Sequence, residues 1–179
     1  LLTSMLLIGA IAPTASVTQS TPDANATPEV DTTPRFVLRP SDAQDGSYFT
    51  VNARAGSTTE LTATIGNVGE VPLDLRTFAS DAVVLVNGGF GVKDEDAEQT
   101  GPTTWIDWEA ETYSFDPGEG IERDFTVSIP DGTAPGEYIA GISIQTAEPI
   151  EIEGSTMFDQ IIRKAVAVFI IVEEDTTAS

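Results

Sequence analysis

"IPDGTAPGEYIAGISI" (residues 129–144) is the stretch on which the reading of the fold turns. Its first half is dense in chain breakers, and its second half reads as one strand. Pro130 closes the preceding strand, because proline has no N–H to give to a sheet ladder. Gly132 and Gly136 supply backbone freedom at positive φ, and Pro135 stiffens the bend between them. Gly136-Glu137-Tyr138 then opens the next strand. A tyrosine in that place can send its hydroxyl back to upstream backbone and pin a corner where the chain leaves one sheet for another. The alternative is a loop that grips a ligand. The corner accounts for every residue type, so Pro130, Gly136 and Tyr138 are read as structural. The Tyr138 hydroxyl is expected to bond near residues 131–134.

On either side of this corner, short apolar runs alternate with Gly, Pro, Asn and Asp, which is the texture of an all-β domain. "RFVLRP" (35–40) is a first strand. "SYFTVNARA" (47–55) sets Tyr48, Thr50 and Asn52 against Phe49, Val51 and Ala53. "TTELTATIGN" (58–67) turns Leu61, Ala63 and Ile65 to one face and Glu60, Thr62 and Thr64 to the other, the period of a half-buried strand. "LDLRTFAS" (73–80) points Asp74 and Arg76 outward. "AVVLVN" (82–87) is continuously apolar, so it is either covered on both faces or a short helical or linking piece. "IERDFTVSIP" (121–130) aligns Ile121, Arg123, Phe125, Val127 and Ile129. Arg123 breaks the apolar face near the strand's start, where it is expected to reach solvent. "KAVAVFIIVEE" (164–174) reads as a long central strand. No helix of ordinary length is needed, and no internal repeat is present. About seven to nine short strands between residues 35 and 174 predict an immunoglobulin-like antiparallel β-sandwich.

Composition narrows the chemistry. Of the 179 residues, 29 are acidic and 8 basic, a net charge of −21. Such a balance disfavours nucleic acid and anionic lipid, which need clustered Lys and Arg. The chain has no cysteine and no histidine. Disulfides, thiolate nucleophiles and His-based triads are therefore excluded within it. Nothing in the sequence calls for a cofactor.

"LLTSMLLIGAIA" (1–12) followed by "PTAS" is uncharged, apolar and then small, which fits the later part of a secretory signal over residues 1–15. It is short for a membrane span, which needs about 20 apolar residues. Residues 16–34, rich in Ser, Thr and Pro, read as a tether. Asn25-Ala26-Thr27 matches the N-glycosylation acceptor pattern. "DTTAS" (175–179) has the composition of a tail or the start of another linker. Export to the cell exterior or surface is the expectation, with no membrane span in this chain.

Two patches could carry binding or chemistry. In "WIDWEAE" (105–111), an extended backbone places Trp105, Asp107, Glu109 and Glu111 on one face and Ile106, Trp108 and Ala110 on the other. Trp105, Asp107 and Glu109 are then contact candidates for a sugar. The plainer reading is a tryptophan covering the end of the sandwich beneath a solvated acidic strand. Catalysis by paired carboxylates would need one acid in a dry cleft, and the expectation is that the chain is not an enzyme. "KDEDAEQTG" (93–101) offers Asp94, Asp96 and Glu98 as hard oxygen ligands. It lacks the glycine and terminal glutamate of a calcium loop, since Gln99 stands sixth from Asp94, and a solvated charged loop is preferred to a metal site.

The landmarks "GSYFTVNARAGSTTELTATIGNVGEVPLDL" (46–75), "FASDAV" (78–83), "WIDW" (105–108), "DPGEG" (116–120), "FTVSIPDGTAPGEYIAGI" (125–142) and "IIRKAVAVFIIV" (161–172) occur in an order that resembles the DUF916 family. That family forms the N-terminal domain of WxL-interacting proteins of bacterial surfaces. The resemblance runs from about Phe36 to Val172. It implies an immunoglobulin-like fold and a peptidoglycan-binding role, and it assigns no ligand residue to this chain. Family members continue into a second sandwich, a membrane span and a basic tail, so the expectation is either a fragment of an anchored protein or a chain that is secreted or held by a partner. The expectation is a non-catalytic surface module for cell-wall polysaccharide or a surface protein. The rivals are a structural spacer and, less favoured, a carboxylate glycosidase.

Overall fold

Alternating side chains can bury one face of a strand only if a second sheet covers it, and the chain builds two such sheets. The computed structural model describes residues 31–42, 47–86, 88–151 and 159–174. The segments read above as signal (1–15), glycosylation acceptor (Asn25) and tail (175–179), and all but the last residues of the expected tether (16–34), lie outside the described residues. The strands are β1 (Phe36–Pro40), β2 (Phe49–Ala53), β3 (Thr58–Asn67), β4 (Leu73–Val84), β5 (Phe90–Val92) and β6 (Ile106–Asp107). They continue as β7 (Glu111–Phe115), β8 (Gly120–Ser128), β9 (Gly136–Thr146), β10 (Ile150–Glu151), β11 (Asp159–Gln160) and β12 (Arg163–Val172). Eight of them have five residues or more, within the expected number.

One sheet runs β1-β3-β8-β6. The other runs β2-β12-β9-β4-β5, with β7 also on β4, and β10 and β11 pair separately as a two-stranded ribbon. All pairings are antiparallel except β2 with β12, which is parallel. The inward faces meet in one core. Phe36, Ile65, Phe125 and Val127 come from the first sheet, and Leu75, Ile142, Ile144, Val168 and Ile170 from the second. β12 lies between β2 and β9 and is an interior strand, as its continuous apolar run predicts. No helix among the described residues is long and apolar enough to cross a membrane.

Asn67 is almost fully buried where two turns meet. Its side-chain amide donates to the Val71 carbonyl at 2.7 Å and its Oδ1 accepts from Gly69 N–H at 2.9 Å. Its backbone exchanges bonds with Glu119 and Gly118. The turns at residues 66–72 and 116–120 are thus tied through one side chain, which leaves no buried polar atom of Asn67 unmatched.

Among its described residues the "AVVLVN" run is neither doubly covered nor helical; its second half, Leu85 and Val86, is the linking piece. β4 continues to Val84, and the chain reverses into β5, leaving Val84, Leu85 and Val86 exposed at the hairpin tip. The same hairpin folds over the outer face of the larger sheet. A Cβ on Gly141 would lie 2.5 Å from Val92 Cγ1 and 3.2 Å from Phe90 Cζ, so glycine is required for this cover to close.

Candidate functional site

The sheet-to-sheet corner comes first, because it fixes what surrounds it. β8 belongs to the smaller sheet and β9 to the larger, so residues 129–135 carry the chain between them. Gly132 takes φ 73°, a conformation that disfavours side chains. The Thr133 hydroxyl donates to the Pro130 carbonyl at 2.7 Å, and the Tyr138 hydroxyl donates to the Ala134 carbonyl at 2.8 Å.

The Trp105 ring packs on Tyr138, with centroids 5.0 Å apart and a tilt of 59°. Trp105 is half-buried against the core, whereas Asp107 and Glu109 are exposed. The expected alternation from Trp105 onward is corrected here: Trp105 ends a 3-10 helix (Gly101–Trp105), so strand alternation begins only at Ile106. Glu111 belongs to β7, in the other sheet from Asp107. The segment is a second sheet crossing, and the backbone turns between its acidic residues.

Arg123 holds that crossing. Its side chain is only 16% exposed, which corrects the expectation that it reaches solvent. The guanidinium carbon lies 4.2 Å from the centroid of the Trp108 ring. Its Nη2 donates to the Glu109 carbonyl at 2.9 Å and its Nη1 to the Tyr113 hydroxyl at 3.2 Å. Nη1 also lies 3.7 Å from Glu111, which accepts from the Tyr113 hydroxyl at 2.6 Å. A cation inside the seam is tolerated because an aromatic face and oxygen acceptors replace its water. Burial and the Glu111 carboxylate push the Tyr113 hydroxyl above its ordinary pKa.

The acidic loop is a clasp on the outer face of β4. Asp94 binds Arg163 at 2.7 Å, Glu95 binds Arg76 at 2.6 Å, and Lys93 binds Asp81 at 2.8 Å. Asp81 also accepts from the N–H and hydroxyl of Thr100, and Gln99 donates to the Ala79 carbonyl. Burial alone would raise the Asp81 carboxyl, but hydrogen bonds from Lys93 and Thr100 outweigh it and hold the group well below the usual carboxylate range. Asp94 is committed to an arginine, while Asp96 and Glu98 are exposed, and no metal-holding cluster occurs among the described residues. Beneath this cover Phe78, Ser80 and Ser143 are buried although they lie on the sheet's outer side.

The uncovered part of that outer face is different in character. A depression of about 420 Å³ is lined by Tyr48, Thr50, Glu137, Phe169 and Ile171. Tyr48 is 52% exposed and Phe169 37% exposed, and their rings meet edge to face at 5.1 Å. Cross-strand register explains the grouping. Thr50 stands opposite Phe169, and Ile171 opposite Glu137, so all four share the outer side. Two aromatic side chains, a hydroxyl and a carboxylate that has no ion-pair partner among the described residues thus converge on an open surface. In the sequence Tyr48 falls on the polar face with Thr50, a usable signal. Phe169 was hidden in a run that looks uniformly buried.

No family model and no curated protein matches the sequence. Among solved structures the chain is similar to PapD-like domain 7 of human CEP192, at 11% identity and TM-score 0.44, covering 90% of this chain and 99% of that one. It is also similar to a chain of the CsuC–CsuE chaperone–tip adhesion subunit complex of Csu pili from Acinetobacter baumannii, at 12% identity and TM-score 0.45, covering 78% of this chain. A third likeness is to a family 123 glycoside hydrolase from Clostridium perfringens, at 11% identity and TM-score 0.44, covering 77% of this chain. The chain spans 57% of the matched Csu chain and 27% of the hydrolase. These likenesses are of architecture at most. The two packed sheets, the parallel β2–β12 edge and the tyrosine corner define the chain as an immunoglobulin-like β-sandwich.

Proposed function

We propose that this chain is a non-catalytic binding module of the cell exterior, of the kind the DUF916 resemblance implies, and that its Tyr48–Phe169 face receives cell-wall glycan. The observation that carries the reading is the exposed aromatic pair beside Thr50 and Glu137. The C–H faces of a pyranose are apolar and pack on aromatic rings, while its hydroxyls donate to a carboxylate and exchange bonds with a threonine. An open sheet face suits a polymer, which cannot thread a closed cavity. A surface protein is the second reading, favoured by the exposed Val84, Leu85 and Val86 at the β4–β5 tip.

The test is co-sedimentation with purified, insoluble peptidoglycan. The wild-type chain is expected in the pellet, and Phe169→Ala and Tyr48→Ala are each expected to weaken binding about tenfold. Equal recovery with and without the glycan would overturn the reading. A reducing-end screen on polysaccharides tests the non-catalytic part; released ends that vanish in Asp107→Asn or Glu109→Gln would make the chain a glycosidase.

A further inference from the structure

The open edge of the larger sheet is a second feature, separate from its face. β2 pairs only with β12 among the described strands. The Glu173 N–H donates to the Ala53 carbonyl at 3.0 Å, which sets the phase of this parallel ladder. Phe49, Val51 and Ala53 direct their N–H and C=O groups to β12. Alternate residues in a strand direct theirs the other way, so Thr50 and Asn52 present theirs at the free side. No second strand lies there among the described residues.

The other edges are guarded. β1 carries Arg39 and Pro40, and its Phe36 carbonyl accepts from the Lys164 ammonium at 2.6 Å. β5 and β6 are three and two residues long. β7 carries Glu111, engaged with Tyr113 and Arg123. β2 has five residues with no charge and no proline, which is the unprotected kind of edge. Acid gathers at one end of it and, among the described residues, outnumbers the one exposed cation there, Arg54, which follows Ala53. Glu173 follows β12 beside Ala53, Glu174 is next, and Glu137 stands across Ile171 from Asn52. All three are exposed, and none has an ion-pair partner among the described residues. The whole chain carries −21.

We propose that the β2 edge is a strand-addition site for an extended, lysine- or arginine-bearing segment of a partner protein. The backbone of the incoming segment takes the N–H and C=O groups of Thr50 and Asn52, and its cations sit in the field of Glu173, Glu174 and Glu137. The charge argues against a second copy of this chain as the occupant, because two bodies of −21 repel. The site goes beyond the glycan reading, since it uses the backbone edge of the sheet and the carboxylates of Glu173 and Glu174; Glu137 is the one carboxylate it shares with the Tyr48–Phe169 face.

The test is fluorescence anisotropy of the full chain with a short labelled peptide alternating Lys with Val. It is run beside the same peptide N-methylated at every central residue and a Glu–Val counterpart. The Lys–Val peptide is expected to bind saturably, with the methylated and acidic peptides weaker by about tenfold or more. Asn52→Pro removes an outward N–H without touching the β12 ladder and is expected to weaken binding by a similar factor. The same variant should still co-sediment with peptidoglycan, which separates this proposal from the glycan reading. Equal binding of the methylated peptide means adsorption by charge alone and overturns the proposal, as does the absence of saturable binding. If Asn52→Pro does not fold, the methylated peptide decides alone.

Discussion

Replacing Arg123 with methionine removes a cation from the seam while keeping an unbranched apolar stem of similar length. The loss can be worked from its contacts. Stacking on Trp108 at 4.2 Å is worth roughly 0.5–2 kcal/mol. The hydrogen bond to the Glu109 carbonyl at 2.9 Å adds about 1 kcal/mol net, because Glu109 is exposed and water replaces the donor. The Glu111 pair contributes little, since its carboxylate is 54% exposed and the separation is 3.7 Å. Methionine sulfur against Trp108 returns part of the first contribution. The net expectation is a destabilisation of about 2 kcal/mol, or about 4–8 °C in Tm. Urea unfolding followed by tryptophan emission reads it directly, because Trp108 is buried and Trp105 half-buried in the folded state. Glu111→Gln is the control, expected to cost under about 0.5 kcal/mol. An Arg123→Met loss below that figure, or a Glu111→Gln loss equal to it, would refute the assignment of Arg123 as the seam's latch.

Tyr138→Phe keeps the ring against Trp105 and deletes the bond to Ala134, so it should cost about 0.5–1.5 kcal/mol in denaturant unfolding; an unchanged midpoint would remove the corner pin. Asp81, with its folded pKa depressed, contributes stability that is complete above its unfolded value and lost as pH falls through and below the 3.8 of an ordinary aspartate. Asp81→Asn should therefore lower stability at neutral pH by about 1–3 kcal/mol and flatten the acid limb of a Tm-against-pH curve; an unaltered acid limb would count against the clasp. Gly141→Ala should cost about 1–3 kcal/mol by pushing Val92 and Phe90 off the sheet, whereas Val86→Ser, at a fully exposed tip, should stay within about 0.5 kcal/mol of wild type.

Period and punctuation alone were enough to specify a sandwich. Alternation in residues 58–67 and 121–129, breakers between the runs and the absence of any helical pattern leave little else for a chain that must bury one face of each strand. The Gly/Pro density before Tyr138 marked the crossing between sheets, because only a corner uses all of those residue types together. These are local constraints, written in side-chain direction and backbone freedom, and they survive without knowledge of neighbours.

What tertiary structure decided were the contacts between segments distant in sequence. Trp105 lost its alternation to a 3-10 turn that seats it on Tyr138, a partner on another strand. Arg123 looked like a solvated exception until Trp108, Tyr113 and the Glu109 carbonyl closed around it. The acidic loop could be read as hydrated or metal-seeking; Asp96 and Glu98 are exposed, while Asp94 and Glu95 are taken by Arg163 and Arg76, and the Lys93–Asp81 pair closes its base. Most of all, the pairing of Tyr48 with Phe169 depends on the parallel register of β2 on β12, which joins residues more than a hundred positions apart. Period-two patterning says which residues share a face of one strand, but only the register of the assembled sheet says which faces lie side by side and which edge is left open.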